Sequence, residues 1–430
     1  MLILFSALSE CEPSLFPRTL YPEDSAQSQF FSQTGINSWF KGLLNDGSLN
    51  ISGQQLPDMI TSLNLGVTKI DVFFTDIVVA EFEVQDVRFL FMKSKTFPLN
   101  LVGARFVLRL NWKIQQTSYP YMTDHGTGKV IVSDTDFSTI CGAECDYDVC
   151  PNHLLAQILH AELKIGVLKV VLEGGTSWMY QSMINLVLGI LQDELNKAIS
   201  YFMSNNVVDV LNNIFQSYIS FKHLKTDQSI IKDERFVSSL QIENGYAYLS
   251  TSGYTYSASN TSDEYISQDM LNPITVNRFN TAMEIIIAQA GFNNVYYIYH
   301  KYQNIYSNNE FQLTQPPSIE FQNSVVILNL QMVVNESIVK QQLVGTPHFY
   351  NNPEESKKVV IYFDFQLYEI ECEDESINLQ SLQQQVLAHI NLAMRKTFLI
   401  LINSKMYQTQ EFDCILDTVD KVMRLVRKEM

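Results

Sequence analysis

Trp178 to Phe215 reads WMYQSMINLVLGILQDELNKAISYFMSNNVVDVLNNIF, about ten helical turns without a proline. Ile184, Leu188, Leu191, Leu195, Ala198 and Phe202 recur at helical steps, while Gln181, Gln192, Asp193, Asn196 and Ser200 fall largely between them. Apolar residues at every third or fourth position make an amphipathic helix with one wide apolar stripe. A stripe that long needs a long cover, and the chain before it offers extended segments rather than other helices. From periodicity alone the stripe reads first as filled core, the usual fate of such a face, and second as the wall of a ligand cavity. Met179, Met183, Gly189 and Met203 supply flexible or small side chains, which suit a surface that adapts to variable shapes.

Upstream of this helix, Leu63 to Ile140 alternates apolar and polar residues, as in Phe82, Val84, Val87, Phe89 and Phe91, or Phe106, Leu108, Leu110 and Trp112. That period belongs to strands with one buried and one solvated face. Leu154 to Leu172 adds two further strands, and Ser25 to Leu44, with Phe31, Ile36, Trp39, Phe40 and Leu43, reads as a short amphipathic helix. Downstream, Gln241 to Tyr256 is strand-like and the Ser/Thr/Asn/Asp-rich Thr251 to Asp269 reads as a surface connection. Thr275 to Gly291 is expected to be a helix closed by its glycine. Strands follow over Ser318 to Val334 and Val359 to Ile370. A second long helix is expected from Leu379 to Ile402, with Leu382, Val386, Ile390, Ala393 and Phe398 as its stripe and Leu387, Met394 and Leu399 broadening it. Glu411 to Val426 closes the chain as strand or helix. The order helix, strands, long helix therefore occurs twice, as a repeat of architecture rather than of residues.

With 430 residues, 46% hydrophobic and 12% aromatic, the chain has material for two or three domains and more than one core. A net charge of −17 argues against a nucleic-acid partner and against general attraction to anionic membranes, both of which need clustered Lys and Arg. The longest apolar run, Phe398 to Ile402, is far short of the roughly 18–20 residues that cross a bilayer. Residues 1–20 begin MLILFSAL, an apolar stretch like a signal-peptide core but without a basic start or a clean cleavage site. With glycosylation sequons at Asn50, Asn260 and Asn335, this points to a secretory or extracellular route.

Cys141, Cys145, Cys150 and His153 form C-x3-C-x4-C-x2-H, a spacing that fits no common zinc motif, so a local disulfide or free thiols are the preferred readings. A bridge between Cys372 and Cys414 would require the last segment to pair beside the strand ending at Cys372. Signatures of catalysis are poor. Ser337-Ile338-Val339-Lys340 matches S-x-x-K without its companion motifs, and Gly126-Thr127-Gly128-Lys129 lacks the rest of a phosphate loop and reads as a turn. The seven histidines are scattered, so no enzyme, catalytic residue, metal or other cofactor is expected.

Several stretches resemble the tubular lipid-binding family of bactericidal/permeability-increasing protein, lipopolysaccharide-binding protein and the plasma lipid-transfer proteins. They are VNRFNTAMEIIIAQAG at Val276 to Gly291, FSQTGIN at Phe31 to Asn37, LPD at Leu56 to Asp58, the tryptophan of LNWKIQ, the C-x3-C pair, and PPSIEFQ at Pro316 to Gln322. The resemblance implies an α+β fold: an elongated boomerang of two barrels, each a twisted antiparallel sheet around a long helix, joined by a central sheet. It divides the chain into a candidate leader (1–20), an N-terminal lipid-binding barrel (21–250), a linker (251–272) and a C-terminal lipid-binding barrel (273–430). It turns the two stripes into tunnel walls for a phospholipid or other fatty-acyl lipid, with Met183, Val187, Ile190, Leu191 and Leu195 in the first and Val386, Ile390 and Met394 in the second. Lipids and transient membrane surfaces would be the partners. The alternative is a structural or recognition module that keeps the fold without transport and binds a protein or a microbial glycolipid. Three departures from the family stand out: no cysteine near Val207 or Val208 to fasten the long helix, no proline-rich linker, and Lys41 as the only basic residue from Thr34 to Asp58.

Overall fold

The computed structural model describes residues 25–427 apart from 46–50, 65–67, 92–95, 120, 147–152, 176–191, 210, 213–220, 225–226, 244, 261–281, 352–357, 398–401, 404–412 and 418–420. The fold is α+β, built of antiparallel sheets and a few helices. Elements are numbered in chain order. The helices are α1 (Gln33–Asn45), α2 (described over residues 192–209 and 211–212), α3 (Gln289–Gln303) and α4 (Leu379–Thr397).

A seven-stranded sheet forms first. It contains β2 (Met59–Asn64), β3 (Lys69–Glu83), β4 (Asp86–Phe89), β5 (Thr96–Gln116), β6 (Thr123–Asp146), β7 (His153–Lys164) and β8 (Val167–Glu173). Its order is β2-β3-β5-β6-β7, with β4 on β5 and β8 on β6. Along β5 the expected alternation holds: Phe106, Leu108, Leu110 and Trp112 are buried, while Arg109, Asn111 and Lys113 are exposed. Gly126 to Lys129 lie inside β6 and not in a turn. A side chain at Gly126 would collide with the Glu173 carbonyl and the Trp112 indole, whose Nε1 donates to Thr127 O at 2.9 Å and Glu173 O at 3.2 Å. Gly126 serves tryptophan packing, while Gly128 lies against Leu110 and Leu172.

A central sheet joins the two ends of the chain. It runs β11-β12-β1-β14-β22-β21, from β11 (Gln241–Glu243), β12 (Tyr246–Thr251), β1 (Gln27–Ser32), β14 (Met283–Ala288), β22 (Val422–Arg427) and β21 (Asp413–Asp417). Ser25 to Leu44 is thus a strand followed by α1, and Glu411 to Val426 contains a strand pair. Thr275 to Gly291 is corrected in the same way. Its described part is β14, with α3 opening at Gln289, so Gly291 lies in the first turn of a helix and does not close one. The reason is burial on both faces. Ile285 and Ile287 enter one core, while Ile286 packs with Phe30 and Tyr248 on the other side. A continuous apolar run of this kind has no strand period to betray it.

A three-stranded sheet pairs β13 (Thr255–Ser257), β10 (Asp227–Asp233) and β9 (Phe221–Leu224). The start of the expected surface connection is therefore internal: Thr251, Ser252, Tyr254, Thr255, Tyr256 and Ser257 are all buried. Hydrogen bonds make this tolerable, as when Thr255 N–H donates to Asn294 Oδ1 at 2.6 Å.

The last sheet runs β15-β17-β18-β19-β20, with β16 on β17: β15 (Gln312–Leu313), β16 (Ser318–Gln322), β17 (Val325–Val334), β18 (Ser337–Asn351), β19 (Lys358–Cys372) and β20 (Ile402–Asn403). Helix α4 packs on β19 and α3 on β16. Ile402, expected as the end of the second long helix, instead pairs with Val359.

Candidate functional site

Two apolar interiors result, and each contains one of the helices singled out above. In the first, α2 buries Leu195, Ile199, Phe202, Met203, Val207 and Leu211, spaced by three or four apart from the adjacent pair. They share one cluster with Phe106, Leu108, Leu110 and Trp112 of β5 and Val130, Val132 and Phe137 of β6. Tyr201, on the opposite face of α2, is exposed. In the second, α4 buries Leu382, Val386, Ile390, Ala393 and Met394 among Phe363 and Phe365 of β19, Leu328 and Leu330 of β17 and the α3 side chains Phe292, Tyr296 and Tyr299. The central sheet contributes to both interiors. Ala247 belongs to the first, while Phe31, Met283, Ile285, Met423 and Leu425 belong to the second.

Of the expected wall residues, Leu195 lies in the first interior and Val386, Ile390 and Met394 in the second, each 0–1% exposed. Met183, Val187, Ile190 and Leu191 lie outside the described residues. The second interior is the more aromatic. Phe292 stacks edge-on with Phe321 at 5.9 Å and Phe363 at 5.6 Å, and Tyr296 with Tyr306 at 6.1 Å. Burial raises the Tyr296 phenol pKa, so it stays neutral.

Carboxamides that the sequence did not single out fasten helices to sheets. Asn391 of α4 accepts from Phe365 N–H at 3.0 Å and donates to Phe365 O at 3.1 Å. In α3, Asn293 makes the same double contact with Ile319 and Asn294 with Thr255. Gln289 accepts from Phe321 N–H at 3.0 Å. At the other end of the chain, Asn37 of α1 accepts from Phe89 N–H at 2.6 Å. At the end of α2, Asn212 accepts from Ala156 N–H at 2.7 Å. That bond ties the helix to β7. The one sequence signal for these clips is a polar amide beside a core position, as Asn391 sits beside Ile390.

Gln341 of β18 is different. It lies between Leu330 and Ile370 across the sheet and between Val339 and Leu343 along its strand, on the face that enters the second interior. It is 1% exposed, and neither carboxamide atom hydrogen-bonds a protein group. An amide buried this way costs about 1–3 kcal/mol.

Among the described residues the free-thiol reading holds for Cys141, and the disulfide candidates through Cys141 and Cys372 are corrected. Cys141 and Cys372 are free thiols. Cys141 and Cys145 both lie on β6, four residues and so about 13 Å apart along an extended strand, too far for a bridge. Burial pushes the Cys141 thiol up to about 11. Cys372 ends β19 in the last sheet, whereas Cys414 lies on β21 of the central sheet. Cys150 lies outside the described residues, as does Asn50; Asn260 and Asn335 are exposed, the latter in the turn between β17 and β18.

Neither a scan of known protein families nor a search of curated proteins finds a match. Among solved structures, the chain is similar to lipopolysaccharide binding protein, with a TM-score of 0.58 at 12% identity over 94% of this chain and 98% of that one. It is also similar to Takeout 1 of Epiphyas postvittana, with a TM-score of 0.31 at 11% identity over 42% of this chain and 90% of that one. P47 of Clostridium botulinum E1 matches with a TM-score of 0.25 at 9% identity, over 96% of this chain and 100% of that one. The first likeness is one of fold, over nearly the whole of both chains. It supports an α+β fold of the same kind as that protein's. The two lower scores carry no argument.

Proposed function

We propose that this protein is a non-enzymatic lipid binder that takes the acyl chains of phospholipid-like molecules into two apolar interiors and exchanges them with membranes. The observation that carries this reading is a pair of separate apolar clusters, each with a helix lying against a sheet, in a fold shared along its length with lipopolysaccharide binding protein. In the proposed form the two clusters are the insides of two barrels of an elongated molecule. The inward helix faces are mainly aliphatic with a methionine in each: Leu195, Ile199, Met203 and Val207 beside Phe202 in α2, and Val386, Ile390 and Met394 in α4. Such faces suit chains of variable shape.

Burying about 15 methylenes of one chain is worth roughly 12 kcal/mol gross. A bilayer offers the same burial, so transfer between the two has little net driving force and can run in both directions. Membrane contact would be transient and through apolar surface, given the net charge of −17. A secretory route is part of the proposal, supported by the exposed sequons at Asn260 and Asn335.

The aromatic packing of the second interior favours, for that half, the alternative of an interaction module whose cavity is filled. Vesicles of phosphatidylcholine carrying a self-quenched fluorescent phospholipid separate the two. A carrier raises the fluorescence in proportion to protein added, whereas a module leaves it unchanged.

A further inference from the structure

We infer that Gln341 is a polar contact inside the second interior for a bound apolar-chain ligand carrying a neutral O–H group, a hydroxyl or an un-ionised carboxyl. The inference deepens the proposal that the interiors hold lipid and rests on it. A primary carboxamide presents N–H donors and a carbonyl acceptor. In Gln341 neither is met by the protein, although the side chain is 1% exposed. The other carboxamides that meet a helix or sheet backbone do so with short bonds, as Asn391 does with Phe365 and Asn293 with Ile319. Gln341 stands apart from that use.

Its surroundings decide the ligand chemistry. Leu330, Val339 and Leu343 belong to the second core and Ile370 packs against it, so no charged residue flanks the amide in the sheet. Lys340, Glu369 and Glu371 alternate onto the other face and line a surface pocket of about 200 Å³ that Leu330 and Gln341 also border, while the Gln341 carboxamide atoms themselves stay buried. An ionised headgroup beside Gln341 would be desolvated without a counter-charge. A hydrocarbon would answer neither side of the amide, and an ester or ether only its donors. A hydroxyl or neutral carboxyl answers both, one by accepting from Nε2 and the other by donating to Oε1.

The test uses the full chain equilibrated with an equimolar mixture of oleyl alcohol and oleyl methyl ether. Retained lipid is counted by mass spectrometry, normalised to the partition of the same mixture into phosphatidylcholine vesicles. The unsubstituted chain is expected to retain the alcohol over the ether by about twofold or more. Gln341→Leu and Gln341→Met are expected to retain the two equally, and to melt at a higher temperature when lipid-free because a desolvated amide is gone. The unbranched Gln341→Met carries the comparison if the leucine variant does not fold. Equal retention by the unsubstituted chain, or a preference that persists in the variants, overturns the role of Gln341 and leaves lipid binding standing. Retention of neither lipid by any of the chains overturns both.

Discussion

At the scale of single residues, carboxamides fasten the helices of this chain to its sheets. Asn391 satisfies both backbone groups of Phe365 from a neighbouring helix, a contact that leucine cannot make. Asn391→Leu should therefore cost about 2–4 kcal/mol, since it strands a buried N–H and C=O together. Urea unfolding followed by tryptophan fluorescence measures it, and a loss under about 0.5 kcal/mol would show that the clip is dispensable. Cys141 makes a second test. Its thiol is raised from an ordinary 9.0 to about 11 by burial, so folding favours the neutral form. That contribution is complete below pH 9 and is lost as the pH climbs through about 11. Cys141 should resist iodoacetamide in the native chain at pH 8 and react once denaturant is added, with peptide mapping locating the label. Neither residue's role was legible in the sequence. Nothing in the helical spacing singles out Asn391, and Cys141 reads as part of a cluster that its own strand keeps apart.

At the scale of elements, strands with one solvated face were legible and elements buried on both sides were not. Phe106, Leu108, Leu110 and Trp112 announced β5 by alternation, and Leu382, Val386 and Ile390 announced α4 by helical spacing. The run MEIIIA gave no period, because Glu284 and Ile286 are as buried as Ile285 and Ile287. Polar composition misled at Thr251 to Ser257, where the hydroxyl residues are internal. Glu284 also explains how β14 and β22 stay in register within the six-stranded sheet. Arg424 of β22 donates to it at 2.7 Å and to Asp417 of β21 at 3.2 Å, with Arg424 and Glu284 both fully buried. Arg424→Met should destabilise the chain by about 3–5 kcal/mol by taking the guanidinium away from the buried Glu284 carboxylate. Adding Glu284→Leu should recover a good part of that loss. A double variant no better than the single one in chemical denaturation would contradict the account.

At the scale of the whole molecule, the sequence pattern already separates two apolar helices, and the structure places α2 and α4 in two different cores. The central sheet ties these cores together by pairing β1, from the start of the described chain, with β14 from its middle, and β14 with β22 from its end. What the pattern could not supply is whether each core is filled or holds a ligand. A stripe of Leu, Ile, Val and Met serves both, and the difference lies in shape rather than in residue type. Native mass spectrometry of the full chain, purified without detergent or organic solvent, tests lipid binding most directly. The account predicts peaks heavier than the polypeptide by the mass of one or two lipids, which disappear on extraction with chloroform and methanol. A single peak at the bare polypeptide mass, with no lipid in the organic extract, would contradict it.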